Sequence, residues 1–443
     1  MSAANAKATH SSVDRYRALF EACCTADALS NFRRDAFAQF SAMGFPTPRE
    51  EAWKYTNLRR LESRAFAPAE QVPVAIETTR TPWIERGGPR IVFVNGRWTP
   101  ALSSVSPYPP GVTVLTLGEW LKHEPAEVLA YLSNAPISKA PPTSALEHLN
   151  AAFFQDGLVV NLAPGARFDE PVQLVHIWSG NAQLAMSHPR LIVRAGRDSE
   201  CTLIEQFLSL GEAETFTNAL ASIELDEGST VRHYRLQQES VRAFHIGQAN
   251  VSLRGHARYT LHDLAFGASL SRLNVTALLQ GPGAHVELRG LFTPSGSQHI
   301  DTHTRIEHVA PHTSSEEDYR GIAESRGRGV FNGKVLVHPD AQKTDARQSS
   351  RNLLLSATAE IDAKPELEIY ANDVKCSHGA TTGQLDATAL FYLRSRGLSD
   401  TDARALLIRA FAESILSSIP DVHVHNHIEA LLAARFGAPQ VQS

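Results

Sequence analysis

The chain lacks the features that would assign it to a membrane, to nucleic acid or to the secretory pathway. Its 443 residues contain no run near the roughly 18 to 20 apolar residues that a membrane helix needs. The formal net charge is -5, so no strong positive field attracts nucleic acid or anionic lipid. The N-terminus has no apolar core of a secretory signal, and four cysteines make no disulfide framework. We therefore expect a cytoplasmic protein.

Two common enzyme signatures are also missing. The sequence has no GxSxG elbow of a serine hydrolase. The segment GRGVFNGKV, residues 327–335, resembles a phosphate-binding loop but departs from it twice. Five residues separate Gly327 from Gly333, where the P-loop has four, and Val335 replaces the Ser or Thr that binds magnesium. We interpret the segment as a turn between strands and expect no ATP hydrolysis by this chain.

What the chain does have is a change of hydrophobic periodicity along its length. Residues 1–90 are predicted to form an N-terminal helical domain, because apolar residues recur there at helical spacing. Residues 91–385 are predicted to form a β-rich core of short strands with period two. The clearest of these strands are RIVFVNG, LVVNL, VQLVHIW, RLIVRAG, CTLIEQF, VRHYRLQ, VSLRG, VELRGLF and VLVHP.

A turn signal recurs through this core at intervals near 30 residues. The copies begin at Gly165, Gly196, Gly228, Gly255 and Gly283, with weaker copies at Asp340 and Ala357. The first five copies are 31, 32, 27 and 28 residues apart. Such a repeat of short strands fits a β-helix, in which each coil buries its apolar face against the next. From spacing alone, a large sandwich or barrel is an equal alternative.

The last region, residues 386–443, is predicted to be a C-terminal helical domain. Its main helix, SDTDARALLIRAFAESIL, carries an apolar stripe that includes Leu407, Phe411 and Ile415. A second helix is expected to begin near Asn426 and to end at Gly437.

Two histidine-rich segments are candidates for metal binding. In QHIDTHTRIEHVAPHTS, one face of a strand would carry His299, Asp301, His303, Arg305 and Glu307. That face is a ligand ladder or, more simply, a solvated or interface face. The second segment, HVHNH, spans residues 423–427 and is interpreted as a loop whose histidines bind nothing. The pair Cys23 and Cys24 is interpreted as packing residues of a helix.

The segment DVKCSHGATTG, residues 373–383, is the strongest candidate site. On a strand, Cys376 and His378 point to the same face, with side-chain bases about 6 to 7 Å apart. That is close enough for a shared ion, but two ligands cannot complete a tetrahedral site. We therefore consider an open pair that a partner completes, or a buried cysteine beside a hydrogen-bonded histidine.

Three long motifs resemble the SufD branch of the SufB/SufD family of iron–sulfur cluster assembly proteins. They are FNGKVLVHPDAQKTDARQSSRNLLLS, KPELEIYANDVKCSHGATTG and LFYLRSRG, and GFPTPREEAWKYTNL near the N-terminus is similar as well. The resemblance implies a right-handed parallel β-helix core flanked by N- and C-terminal α-helical domains. The absence of a CxxC group favours SufD over SufB.

The resemblance also implies a role and partners. The chain would be a scaffold, not an enzyme, that pairs with a SufB-like protein and binds a SufC-like ATPase through its C-terminal helices. Carried onto this sequence, His378 is the histidine implicated in cluster assembly and Cys376 is its neighbour. A nascent iron–sulfur cluster, shared with SufB, and a reduced flavin (FAD) would be the cofactors. We expect Leu407, Phe411 and Ile415 to belong to the ATPase-docking helix.

Two other functions are open from the residues alone. β-Helices also host polysaccharide-active enzymes, and acidic residues could line a sugar groove. The residues considered are Asp301, Glu307, Glu316 and Asp318. The third possibility is a structural homodimer without a metal role.

Overall fold

The structure is a computed structural model that describes residues 3–23, 27–69, 76, 81–104, 107–134, 144–179 and 182–437. The α-helices in these residues are α1 (Ala3–Cys23), α2 (Ser30–Met43), α3 (Arg59–Glu62), α4 (Leu117–His123), α5 (Pro125–Asn134), α6 (Ala145–Phe153), α7 (Ala387–Ser395), α8 (Asp400–Leu416) and α9 (Val422–Phe436). Short 3-10 helices span Glu51–Trp53 and Pro100–Leu102. None of the helices described combines the length and apolar character that a bilayer crossing requires.

Most of the chain is β-structure. The first strands are β1 (Ala67–Pro68), β2 (Arg90–Val94), β3 (Arg97–Trp98), β4 (Val112–Thr116), β5 (Gly157–Leu162), β6 (Arg167–Ser179), β7 (Ala185–Ser187), β8 (Arg190–Ala195), β9 (Glu200–Leu210) and β10 (Thr215–Leu225). The others are β11 (Thr230–Gln238), β12 (Phe244–Leu253), β13 (Arg258–Ala265), β14 (Leu270–Leu279), β15 (His285–Phe292), β16 (His299–His308), β17 (Ser314–Ala323), β18 (Arg328–Val337), β19 (Asp345–Leu354), β20 (Glu360–Ile369) and β21 (Lys375–Gly383).

These strands form two sheets that face each other, and their strands run parallel except in the pairs β4–β5 and β2–β3, which are antiparallel. Sheet A runs in the order β20-β18-β16-β14-β12-β10-β8-β5-β4, and sheet B in the order β21-β19-β17-β15-β13-β11-β9-β6-β2-β3. Because each strand pairs with the second strand along the chain, consecutive strands lie in opposite sheets. The chain therefore winds as a parallel β-solenoid of eight coils, from β5–β6 to β20–β21. The predicted β-helix core between helical ends is confirmed, and the sandwich and barrel alternatives are wrong.

The recurring turn signal marks the corner where the chain passes from sheet A to sheet B. One residue of each such turn has a left-handed backbone, with φ between 56° and 73°. Glycine adopts this conformation without strain and supplies it at Gly165, Gly228 and Gly283, whereas Asp198 and His256 supply it in the copies that begin at Gly196 and Gly255. The N–H of Gly165, for example, donates to the carbonyl of Arg197 in the next coil at 2.7 Å. The weak copy at Ala357 was placed wrongly, because it lies in the opposite corner, between β19 and β20.

Inward-facing side chains of both sheets make one continuous apolar core. It runs from Ile91 and Leu158 in the first coils to Tyr319 and Phe331 near the last. Stacking the coils removes this surface from water at roughly 25 cal/mol per Å², which is why no single coil would be stable alone.

Most of the glycines in residues 327–335 lie in a strand that faces the core, not in a turn. Gly327 follows a turn, but Gly329 and Gly333 lie inside β18 and face inward. A Cβ on Gly329 would meet the ring of Phe292 at 2.7 Å. The prediction of a simple turn is therefore wrong for most of this segment.

Helices pack on the outer faces of both sheets of the solenoid. The aromatic residues of α1, α2 and α6 pack together against the start of sheet A. The C-terminal helices pack on the outer face of sheet B, where Ile408 and Ile415 meet Leu264 and Ile322. α4, α5 and α6 lie within the predicted β-rich region, so that region has more helix than its strand pattern indicated.

Candidate functional site

The last coil leaves two strand edges open in the part of the chain that the structure describes. β21 is the outermost strand of sheet B and pairs only with β19, while β20 is outermost in sheet A and pairs only with β18. From Ser377 to Gly383 every residue of β21 is exposed. The unpaired N–H and C=O groups of such edges are templates for pairing with another chain.

Cys376 and His378 both lie on β21 and face the same side. Cys376 is half-buried beside the small apolar cluster of Val335, Val337 and Ala346. Burial raises the pKa of the Cys376 thiol, and the backbone N–H of Ala346 opposes this shift only partly. The thiol is therefore protonated in the isolated chain at neutral pH, and any metal that bound there would have to displace its proton.

His378 is exposed, and among the described residues nothing hydrogen-bonds to its imidazole. The interpretation of a buried cysteine beside a hydrogen-bonded histidine is thus wrong for the histidine. Sequence reasoning missed two buried polar residues on the neighbouring strands of sheet B, Gln348 and Glu317. In sheet B, His378 is in register with Gln348, which is in register with Glu317, and both of these side chains are buried.

The face of β16 that carries His299, Asp301 and His303 contacts the N-terminal segment of the chain. This is the simpler of the two interpretations, an interface face. Asp301 is 1% exposed and accepts hydrogen bonds from Arg272 at 2.8 Å and from Thr56 at 2.5 Å. Burial alone would raise the pKa of Asp301, but Arg272 and the nearby histidines outweigh burial and hold it well below its usual range. The Arg272 guanidinium lies 3.8 Å from the centre of the Trp53 ring. The AWKYT stretch therefore fastens the N-terminal segment to sheet A.

The histidines at residues 423–427 lie in α9, so the predicted loop is wrong. Asp421 begins this helix, because its carboxylate accepts from the N–H groups of His423 and Val424. His427 faces the solenoid, with its Nε2 atom 3.2 Å from Gln238 Oε1. The predicted end at Gly437 is confirmed, with φ at 88°. Within the described residues, no three His, Cys, Asp or Glu side chains converge to hold a metal ion.

The acidic residues considered for a sugar groove do not share a surface. Asp301 and Glu307 lie on the outer face of sheet A, whereas Glu316 and Asp318 lie on the outer face of sheet B. The body of the solenoid separates the two pairs. A sugar site built from these four carboxylates is therefore wrong.

The three docking residues of α8 lie in different environments. Ile415 has no exposed area and anchors α8 to sheet B, so it offers no surface to a partner. Leu407 and Phe411 are half-buried, and the Arg320 guanidinium lies 5.6 Å from the centre of the Phe411 ring. Sequence reasoning missed the exposed aromatics of α7, Phe391 at 74% and Tyr392 at 55% exposure. The adjacent Phe-Tyr pair in LFYLRSRG was the available signal.

The other cysteines do not resemble Cys376. Cys201 is buried inside the solenoid, and burial raises its pKa to about 12. Cys23 is exposed at the end of α1, so its predicted packing role is wrong, and Cys24 lies outside the described residues. Among the cysteines that the structure describes, Cys376 alone lies on an open edge strand, two residues from a histidine.

Comparison with known proteins gives two family models that together match most of the chain. The model described as "SUF system FeS cluster assembly, SufBD core domain" matches residues 176–411. The model described as "SufBD protein N-terminal region" matches residues 11–174. The core model alone covers more than half of the 443 residues, including β21.

Individual relatives agree with these models. A protein of Synechocystis sp. named as an iron–sulfur cluster assembly SufBD family protein is 34% identical over 92% of this chain and 91% of its own length. The iron–sulfur cluster assembly protein SufD of Escherichia coli is 30% identical over 90% of both chains. The chain belongs to the SufBD family of iron–sulfur cluster assembly proteins.

Proposed function

We propose that this chain is a SufD-like scaffold subunit that supplies Cys376 and His378 to a nascent iron–sulfur cluster at an interface with a SufB-like protein. One observation carries the proposal: the two potential ligands lie on the open edge strand of the last coil. A thiolate and an imidazole together suit iron. Two ligands leave room for others, which the partner would contribute.

The chemistry of this chain's residues follows from their surroundings. His378 is exposed on the edge strand, so a partner or a metal can reach its ring nitrogens without rearrangement of the fold. Cys376 is held back by its raised pKa, so it would bind iron after His378 and would release a proton when it does. In this sequence of events, His378 is the primary ligand and Cys376 the secondary one.

The partner would pair with the open end of the solenoid. Edge strands accept an added strand through main-chain hydrogen bonds, and apolar side chains beside the edge provide specificity. Four large apolar residues here are at least 41% exposed: Ile369 ends β20, Tyr370 follows it, and Phe391 and Tyr392 lie in α7, which follows β21 in the chain. These four residues, the apolar rim, are the surface that we expect the partner to cover.

We further propose that a SufC-like ATPase binds the C-terminal helices and that ATP hydrolysis occurs there, not on this chain. Leu407 and Phe411 are the candidates from the α8 stripe with exposed area. ATP-dependent approach of two ATPase subunits would shift the paired solenoid ends and expose the ligands. The reduced flavin (FAD) belongs to this proposal as a ligand of the assembled, cytoplasmic complex, to be tested by flavin absorbance of the complex and of the isolated chain.

The test is co-expression with the SufB-like and SufC-like proteins of the same organism, comparing wild type with His378→Ala. Ser377→Ala is the matched control, since Ser377 is exposed on the same strand but faces the other way. We expect His378→Ala to assemble at equal mass by light scattering but to hold little iron and acid-labile sulfide. Equal cluster content in both variants would refute the site, and a homodimer without partners would refute the complex.

A further inference from the structure

The interior of sheet B holds a column of polar side chains directly below His378. Parallel strands in register stack their side chains on one side at a spacing of about 4.8 Å. By this register His378 stands above Gln348, and Gln348 stands above Glu317. Gln348 is 4% exposed and Glu317 is 1% exposed. An exposed imidazole therefore lies above a buried amide, which lies above a buried carboxyl group.

The amide of Gln348 has a fixed orientation. Its Nε2 atom donates a hydrogen bond to Glu317 Oε2 at 2.6 Å. Since the carboxyl group takes the nitrogen end, the oxygen end of the amide is left over. Within the described residues, Gln348 Oε1 is buried and accepts no hydrogen bond. Buried acceptors without a donor are rare in folded proteins, and such an atom calls for a functional explanation.

The facing sheet is shaped to admit this amide. On β18, a Cβ added to Gly333 would lie 2.0 Å from Gln348 Nε2. Real atoms do not approach so closely, so any larger residue at this position would displace the amide. The glycine in the FNGKV segment and the glutamine in ARQSS thus form one structural unit. That unit places a hydrogen-bond acceptor one strand below the site.

We propose that Gln348, held by Glu317, is a positioning residue that selects the tautomer of His378. In this proposal, one ring N–H of His378 donates to Gln348 Oε1, which the strand register places one strand below. The other ring nitrogen then presents its lone pair to the open end of the solenoid. Metal-binding histidines commonly donate their second ring N–H to an acceptor, which fixes the tautomer and makes the ligand more basic. The proposal rests on the proposed function, because it assumes that His378 binds iron.

Gln348→Leu tests the proposal, because leucine has a similar size but cannot accept a hydrogen bond. Ser350→Ala is the matched control, since Ser350 is the next inward-facing residue of β19 and is also fully buried. The first readout is the imidazole ¹⁵N spectrum of the isotope-labelled full chain at neutral pH, recorded alone and with the SufB-like partner. The His378 signals are identified by their loss in His378→Ala.

In wild type we expect one dominant His378 tautomer, at least with the partner bound, and in Gln348→Leu a mixture of both. The second readout is the affinity of the complex for Fe(II), which should fall about 10- to 100-fold in Gln348→Leu. Ser350→Ala should change neither readout. A tautomer ratio that is the same in wild type and Gln348→Leu would overturn the proposal.

The outcome separates this inference from the proposed function. If His378→Ala loses the cluster while Gln348→Leu keeps both the wild-type tautomer and the wild-type affinity, only the positioning role is wrong. If His378→Ala keeps the cluster, the proposed site is wrong, whatever tautomer Gln348 selects. If Gln348→Leu fails to fold, Gln348→Met, which is unbranched like glutamine but has no amide oxygen, should also give a mixture of tautomers, and an unchanged ratio in that variant would equally overturn the proposal.

Discussion

Replacing Glu317 by glutamine should stabilise the chain at neutral pH and leave its stability nearly unchanged near pH 4. Glu317 is 1% exposed and faces the interior of sheet B. Burial raises the pKa of its carboxyl group from 4.5 to about 7, although the hydrogen bond from Gln348 opposes this shift. Glutamine has the same shape and can still accept the amide proton of Gln348, so the substitution removes only the titration.

The sign follows from the protons bound in each state. Between pH 4.5 and about 7 the unfolded chain has lost the Glu317 proton while the folded chain keeps it. Stability therefore falls as pH rises through this range, and the loss is complete above the folded pKa. With about 1.4 kcal/mol for each pKa unit, a shift from 4.5 to about 7 corresponds to roughly 3 kcal/mol. Because the group is buried, solvent screening does not reduce this figure.

The assay is urea denaturation followed by far-UV circular dichroism at several pH values from 4 to 8. The advantage of Glu317→Gln over wild type should grow by about 3 kcal/mol across this range. Glu316→Gln is the matched control, because Glu316 is adjacent but exposed on the outer face. It should stay within about 0.5 kcal/mol of wild type, as surface substitutions usually do. An advantage of Glu317→Gln that is equal at pH 4 and pH 8 would show that Glu317 ionises normally and would refute the reasoning.

Two further predictions concern packing elsewhere in the solenoid. Arg272→Ala should lower the free energy of unfolding, measured by urea denaturation, by about 3 to 5 kcal/mol, because the buried Asp301 loses its partner at 2.8 Å. Adding Asp301→Ala should restore part of this loss. A double variant no more stable than Arg272→Ala would contradict the prediction. Gly290→Ala should cost about 1 to 3 kcal/mol, because its Cβ would lie 2.0 Å from the Tyr319 ring, and Tyr319→Leu should relieve it. Gly379→Ala, which has open space around its Cβ, is the control and should be neutral.

The β-solenoid could be predicted because its local signals repeat in every coil. Each corner from sheet A to sheet B needs a left-handed residue, and glycine supplies it at Gly165, Gly228 and Gly283. Inward and outward residues alternate along each strand, so the face that carries Asp301 could be assigned from parity. The parallel stacking itself involves strands about 30 residues apart, and spacing alone could not distinguish it from a sandwich.

What covers an outward face could not be predicted, because that contact lies far away in the sequence. Thr56 and Asp301 are 245 residues apart, and a polar ladder facing solvent has the same sequence pattern as one facing another segment. The missed helices are a different case. Ser144 and Glu147 form a capping box at the start of α6, and this signal was present in the sequence. It was outweighed by the strand pattern on both sides.

The candidate site was predicted in part. The parity of Cys376 and His378 follows from a strand, and the start of the C-terminal helical pattern near residue 386 placed that strand directly before the helices. The buried support below them could not be found, because SSEEDY contains three consecutive acids, and either Glu317 alone or Glu316 with Asp318 could face inward. Only the register with Gln348 shows that Glu317 is the inner one.

The composition of the last coil explains how an open end can be both stable and selective. The apolar core weakens toward this end, where β19 presents Gln348, Ser350 and Asn352 to the interior. On the outer face of β20, Lys364 pairs with Glu366 at 2.9 Å. Charged and polar groups along an edge oppose indiscriminate pairing, while an unpaired edge still favours one complementary partner. The apolar rim begins at Ile369, the last residue of the edge strand β20, and continues in the residues that follow the edge strands in the chain, so we expect strand pairing and apolar contact to occur together. Such a surface selects a partner that can both pair with the edge strands and cover the apolar rim. Only such a partner brings its side chains to Cys376 and His378.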